Sequence, residues 1–166
     1  MGVPAGQSAI LVSGSLAFDE VFLYDGEIRC HLPTDRNAPL YVNLRSSGPI
    51  RRFGGCGGNV AYTLSLLGAP VTLDAWIGDD GASYLDHLAG LGIDVSRVVR
   101  RDDLPTPSGA LMVDSRGDQI LFFGDQGRRL ELPIPRLDGA ALAVVTAGVP
   151  AHMLGLMERC SRSKTP

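Results

Sequence analysis

Lysine is nearly missing from this sequence: Lys164 stands alone among 15 basic residues, the others being arginines. With 18 acidic residues the formal net charge is −3, so no broad positive face for nucleic acid or an anionic membrane is expected. Cysteine is sparse as well. Cys30, Cys56 and Cys160 are odd in number and widely spaced, and form neither a CxxC pair nor a recognisable zinc pattern. That leaves no disulfide framework and points to a reducing cytoplasm. No apolar run approaches the length that crosses a bilayer, and the start MGVPAGQSAILVSG lacks the basic region and long apolar core of a secretory signal.

What is present suits one globular domain: 166 residues, 45% hydrophobic and 20% charged. Residues 9–12 (AILV) read as a short buried strand, followed by a bend and a second strand within 16–24. Residues 26–50 hold three prolines and short β-like pieces, among them YVNLR at 41–45, whose alternation predicts a strand in a small exposed sheet. Val60, Ala61, Leu64 and Leu67 recur at helical spacing, with Asn59 as the expected N-cap, Gly68 as the C′ residue and Pro70 as a stop. Residues 71–77 (VTLDAWI) read as a strand, 82–91 as a helix closed by Gly92, and 93–99 as a strand returning to the sheet edge. A hairpin is signalled by apolar segments flanking Asp114-Ser115-Arg116-Gly117-Asp118. Residues 140–147 look like a central strand, 151–160 like a helix, and the ending SRSKTP carries no structure signal. Strands alternating with helices of this length imply an α/β fold with a largely parallel sheet, joined by a subsidiary β-sheet.

The chemistry concentrates in RRFGGCGGNVAYTLSLLG, residues 51–68. The P-loop pattern fails because it needs a lysine, and GxGxxG fails because Val60 stands where its third glycine belongs. Two readings of the residues remain. In one, glycines let the backbone approach a ligand, a helix start adds free N–H groups, and Asn59 offers a donor and an acceptor to a hydroxyl-bearing molecule. In the other, the segment is a turn and Asn59 a plain N-cap.

Gly54-Gly55-Cys56-Gly57-Gly58-Asn59-Val60-Ala61, six further residues, Gly68, nine further residues and Gly78 together resemble the first signature of the PfkB, or ribokinase-like, kinases. Every fixed position and gap agrees. GSLAFDEVF (14–22) resembles that family's first strand with its substrate-binding aspartate, here Asp19. GDDGASYLDHLAGLGID (78–94) resembles its next strand–helix step, and TPSGALMVDSRGDQILFF (106–123) its substrate-side hairpin. GEIRCHLP with LRSSGPIRRFGGCGGNVAY looks most similar to adenosine-kinase-like members, since sugar kinases often carry lysine where this chain has Cys56.

The resemblance implies a three-layer α/β/α fold with a mostly parallel sheet and a small β lid, within roughly 20–52 and 106–124, all in a single incomplete domain. It implies transfer of the ATP γ-phosphate, balanced by Mg²⁺, to the 5′-hydroxyl of a ribose-bearing substrate, either adenosine or a sugar. Asp19 would accept hydrogen bonds from ribose hydroxyls, Asn59 would contact the same sugar, and Gly54, Gly55, Cys56 and Gly57 would lie against it. The lid could pair two copies. The family's catalytic base, in a GAGD segment, and its ATP site lie downstream; this chain contains no GAGD, so it is expected to be the substrate half of a truncated kinase. A non-catalytic sugar-binding module is the rival reading.

Other groups fit bland roles better. Asp79 and Asp80 suit a turn and helix start, Cys30 and His31 lack further metal ligands at suitable spacing, and Cys56 suits a small passive residue beside the ligand. His87 and His152 fall on expected helices without a nucleophile partner.

Overall fold

The computed structural model describes residues 9–33, 39–124, 127 and 129–166. In chain order the elements are β1 (Ala9–Ser13), β2 (Ala17–Leu23), a 3-10 turn (Ile28–His31), β3 (Ser47–Gly54), α1 (Cys56–Leu66), β4 (Val71–Gly78), α2 (Ala82–Gly90), β5 (Asp94–Arg101), β6 (Ser108–Val113), β7 (Gln119–Phe123), β8 (Ala140–Val145) and α3 (Pro150–Ser163). They fall into two compact units. One comprises Met1–Ala17, Phe53–Pro107 and Asp125–Pro166, the other Phe18–Arg52 and Ser108–Gly124.

The first unit is built on a parallel sheet in the order β5-β4-β1-β8. Ile10 to Ser13 pair in register with Val71 to Asp74, and β8 and β5 extend the sheet on either side, also in parallel. This is the α/β architecture with a parallel sheet that alternating apolar strands and short helices imply. β4 is buried along its whole length, as expected of a strand covered on both faces. Leu73 and Ile77 point to one face with Val71, and α1 packs on β4 and β1. Thr72, Asp74 and Trp76 point the opposite way.

Helix ends follow the local chemistry. Gly68 takes φ +78 after α1 and its N–H bonds Ser65 O, so the helix stops where Gly68 and Pro70 predict. Pro150 opens α3, where its missing N–H costs nothing. At its far end Lys164 adopts the left-handed conformation, with bonds from Lys164 N–H to Ser161 O and from Thr165 N–H to Cys160 O. SRSKTP is therefore not structureless: α3 runs through Ser163, and Pro166 O accepts the Ala143 N–H of β8. β8 ends the strand order, with Leu142 exposed, whereas its continuous apolar run suggested a central strand.

The second unit is a sheet in the order β3-β2-β6-β7. Phe18 to Leu23 pair in parallel with Ser108 to Val113, and β6 turns back antiparallel into β7 at the hairpin predicted from residues 114–118. Asp114 organises that turn. Its carboxylate accepts N–H bonds from Arg116 and Asp118, both at 2.9 Å, and from Ile28 at 2.8 Å. These backbone donors, Ile28 first, hold its carboxyl below the usual carboxylate range. YVNLR corrects an expectation. No strand forms at 41–45, and β3 begins at Ser47. Val42 and Leu44, half-buried, instead line a groove of about 330 Å³ with Met112, Ile120 and Phe122.

Candidate functional site

The glycine-rich segment enters α1 four residues earlier than Asn59 capping would allow. Gly55 is the N-cap, at φ 90 and ψ 142, and α1 begins at Cys56. A side chain at Gly55 would be strained by that φ, and its Cβ would stand 2.6 Å from Ser15 O. Asn59 is thus a helical residue whose N–H bonds Gly55 O at 3.0 Å.

Gly55 has no side chain with which to cap the helix, and Ser15 supplies the missing acceptors from across the unit. Its Oγ accepts the Cys56 N–H at 3.1 Å, and its backbone carbonyl accepts the Gly58 N–H at 3.2 Å. These are two of the donors that an anion-binding helix start would leave free. The rejection of a phosphate cradle on spacing therefore has a structural counterpart.

Close packing accounts for the next two glycines. A Cβ on Gly57 would meet Gly14 C at 2.7 Å, and one on Gly58 would meet Tyr84 Oη at 2.0 Å. The space those glycines clear is filled by the chain itself. Gly54 is buried and its carbonyl accepts the Tyr84 hydroxyl at 2.8 Å. Cys56 and Asn59, three residues apart on one helical face, are exposed. The outward-facing chemistry of α1's first turn is thus a thiol and a carboxamide.

Asp19 belongs to the second unit, on β2, half-buried, opposite Gly109 of β6. Gly109 in turn lies opposite Phe123 of β7, which is 72% exposed. A Cβ on Gly109 would stand 3.1 Å from the Phe123 ring and 3.6 Å from Asp19 Oδ1. Glycine at the middle of this row lets a carboxylate and an aromatic ring approach the backbone between them. Burial pushes the Asp19 carboxyl above its ordinary value. Arg51 does not offset this: its guanidinium lies 3.8 Å over the Phe18 ring and 4.0 Å from Glu20, residues that alternate to the other face of β2. A carboxylate with no cation partner among the described residues, beside an exposed ring, suits a hydroxyl-bearing ligand with an apolar face.

The remaining candidates divide clearly. Asp80 Oδ1 accepts the Thr106 N–H at 2.8 Å, a loop-fixing role. His31 meets Tyr24 Oη at 2.6 Å, and Cys30 lies 3.8 Å from Glu27. Among the described residues no group of three or more His, Cys, Asp or Glu could hold a metal ion. His152, for which the sequence offered no partner, is buried against Asp74 at 2.7 Å, and Ser13 Oγ donates to that same carboxylate oxygen at 2.6 Å. Serine and histidine both bond the aspartate rather than each other, so this is not a nucleophile–base pair. Ser15 and Tyr84 escaped the sequence reading because each reaches the glycine segment across tens of residues, 41 from Ser15 to Cys56.

Comparison with known proteins follows the same lines. The pattern of the pfkB family carbohydrate kinases matches residues 21–161. A nucleoside kinase of Methanothermobacter thermautotrophicus is 29% identical over 116 residues, covering 69% of this chain and 34% of that protein. A Burkholderia thailandensis nucleoside kinase solved in complex with inosine superposes with TM-score 0.72 and 26% identity, over 95% of this chain and 50% of that one. A Cryptococcus neoformans ribokinase solved in complex with ADP gives TM-score 0.75 and 25% identity, over 96% of this chain and 47% of that one. The chain thus spans about half the length of these solved relatives and a third of the curated one. With a parallel-sheet fold of the ribokinase type and a family pattern running from β2 into α3, this chain belongs to the pfkB family of carbohydrate kinases.

Proposed function

We propose that this chain is the substrate-binding half of an ATP-dependent phosphotransferase acting on the 5′-hydroxyl of a ribose-bearing substrate, with adenosine the first choice. The observation that carries this reading is the row Asp19–Gly109–Phe123, a carboxylate with no ion-pair partner among the described residues and an exposed ring on either side of a glycine. An ionised Asp19 accepts hydrogen bonds from two vicinal hydroxyls, and the Phe123 ring offers an apolar face to the rest of the nucleoside. By the resemblance, the exposed Cys56 and Asn59 of α1 are offered to a sugar as well, whereas Gly54 and Gly57 are buried against the chain itself. The similarity to nucleoside kinases, one of them solved with inosine, supports a nucleoside.

Two of the N–H groups in the first turn of α1, those of Cys56 and Gly58, are taken by Ser15, and the sequence contains no GAGD segment, which the resemblance puts downstream together with the ATP site. No step of the transfer is therefore assigned to this chain, whose part is to bind and orient the acceptor.

A sugar kinase is the second reading, favoured by the likeness to the ribokinase. Competition between adenosine and ribose for the purified protein separates the two. Adenosine in preference to ribose supports the nucleoside reading, and ribose without adenosine removes it. The exposed ring of Phe122 and that of Phe123, on a strand that ends the sheet order, also suit pairing with a second copy. A concentration-dependent mass in analytical ultracentrifugation is then expected, and a strict monomer contradicts it.

A further inference from the structure

We infer that Tyr84 is a positioning residue for the glycine segment at residues 54–59, and that ligand affinity at that segment depends on its hydroxyl. The inference rests on the reading of this segment as substrate-facing. Tyr84 is only 2% exposed, in the first turn of α2, and two features of its side chain converge on the segment. Its Oη donates to Gly54 O at 2.8 Å in a buried bond. The same oxygen occupies the volume that a Cβ at Gly58 would need, 2.0 Å from that position. One hydroxyl thus touches the segment on both sides of the Gly55 turn and sets the distance between strand end and helix start. Its ring is held in turn by Phe53, stacked at 4.5 Å and 11° between planes, which also stacks on His87 at 5.0 Å. The residue before the turn, the turn and the first helical residues are therefore referenced to a single phenol.

Cys56, exposed in the segment, reports on its conformation. Tyr84→Phe keeps the ring stack and removes only the bond to Gly54 and the contact at Gly58. Site-resolved alkylation by iodoacetamide, read by mass spectrometry, is expected to speed up several-fold at Cys56 while Cys30, in the other unit, keeps its rate. Adenosine titrated into the same variant is expected to bind about tenfold more weakly, the ratio of one net hydrogen bond of roughly 1.4 kcal/mol. Gly58→Ala supplies the second test. Alone it collides with Oη and loosens the segment, whereas Gly58→Ala in a Tyr84→Phe background regains part of the loss. Unchanged Cys56 reactivity in folded Tyr84→Phe, or a double variant no better than the two effects combined, overturns the positioning role. If wild type binds adenosine and Tyr84→Phe binds it equally well, the link to affinity falls. If wild type binds neither adenosine nor ribose, it is the proposed function that fails, and the alkylation rates still decide the role of Tyr84.

Discussion

Ser15 caps a helix to which it does not belong: its Oγ receives the Cys56 N–H at 3.1 Å and its carbonyl the Gly58 N–H at 3.2 Å. The residue at the N-cap itself, Gly55, contributes backbone geometry but no acceptor side chain. Ser15→Ala is accordingly expected to behave as the loss of an N-cap, costing about 1 kcal/mol. A urea titration checks this, with the midpoint falling and the slope unchanged. A midpoint equal to wild type would show that water replaces the hydroxyl at no cost.

Asp19 separates function from stability. Burial raises its carboxyl pKa, so the folded protein favours the protonated form, and the stability linked to that proton is present below about pH 3.9 and lost as pH rises through the raised value. Asp19→Asn should leave the protein at least as stable at pH 7 while adenosine affinity falls at least tenfold. In wild type, affinity should decline as pH drops through the same raised pKa, because a protonated carboxyl gives up an acceptor. Parallel thermal melts and titrations measure both arms. A variant that binds normally removes Asp19 from the site.

The second pH effect has the opposite sign. Asp114 is held below the usual carboxylate range by backbone N–H bonds, that from Ile28 first, so its stabilisation of the hairpin is present above about pH 3.9 and lost as pH falls through the lowered value. Asp114→Asn should remove that dependence and speed amide exchange at Ile28, Arg116 and Asp118. Hydrogen exchange followed by NMR at pH 6 reads those sites directly.

Much of the fold was legible because local signals and tertiary roles agree. Gly68 with Pro70, the apolar run of β4 and the Asp114–Asp118 turn each encode one outcome. The failures have one cause, which is that the deciding partner lies far along the chain. Asn59 is an excellent capping residue by type, yet the start of α1 is fixed by Gly55 against Ser15. The alternation in YVNLR is real, but its apolar residues line a groove with Met112, Ile120 and Phe122 without entering a ladder, and Tyr41 is left 85% exposed. The candidate site divides in the same way. Asp19 and the glycine signature could be read from residues and resemblance, whereas Gly109, Phe123, Ser15 and Tyr84 require the register and packing.

Ser13, Asp74 and His152 form a buried polar network tying α3 to the parallel sheet. Asp74 supplies the single acceptor oxygen for both neighbours, while His152 Nδ1 is buried with no protein partner among the described residues. Asp74→Ala leaves a buried hydroxyl and a buried imidazole without it, and should cost about 3 kcal/mol. Chemical denaturation measures the loss, and a cost under about 0.5 kcal/mol would mean that the network adapts.

The central claim is that the Asp19 carboxylate binds the sugar of a nucleoside. Calorimetric titration of adenosine into the purified chain, beside Asp19→Asn, tests it most directly. The account predicts saturable one-to-one binding by wild type, displaced by inosine more readily than by ribose, and at least a tenfold weakening in the variant. A folded chain with no binding of adenosine, inosine or ribose, or an Asp19→Asn variant with wild-type affinity, would contradict it.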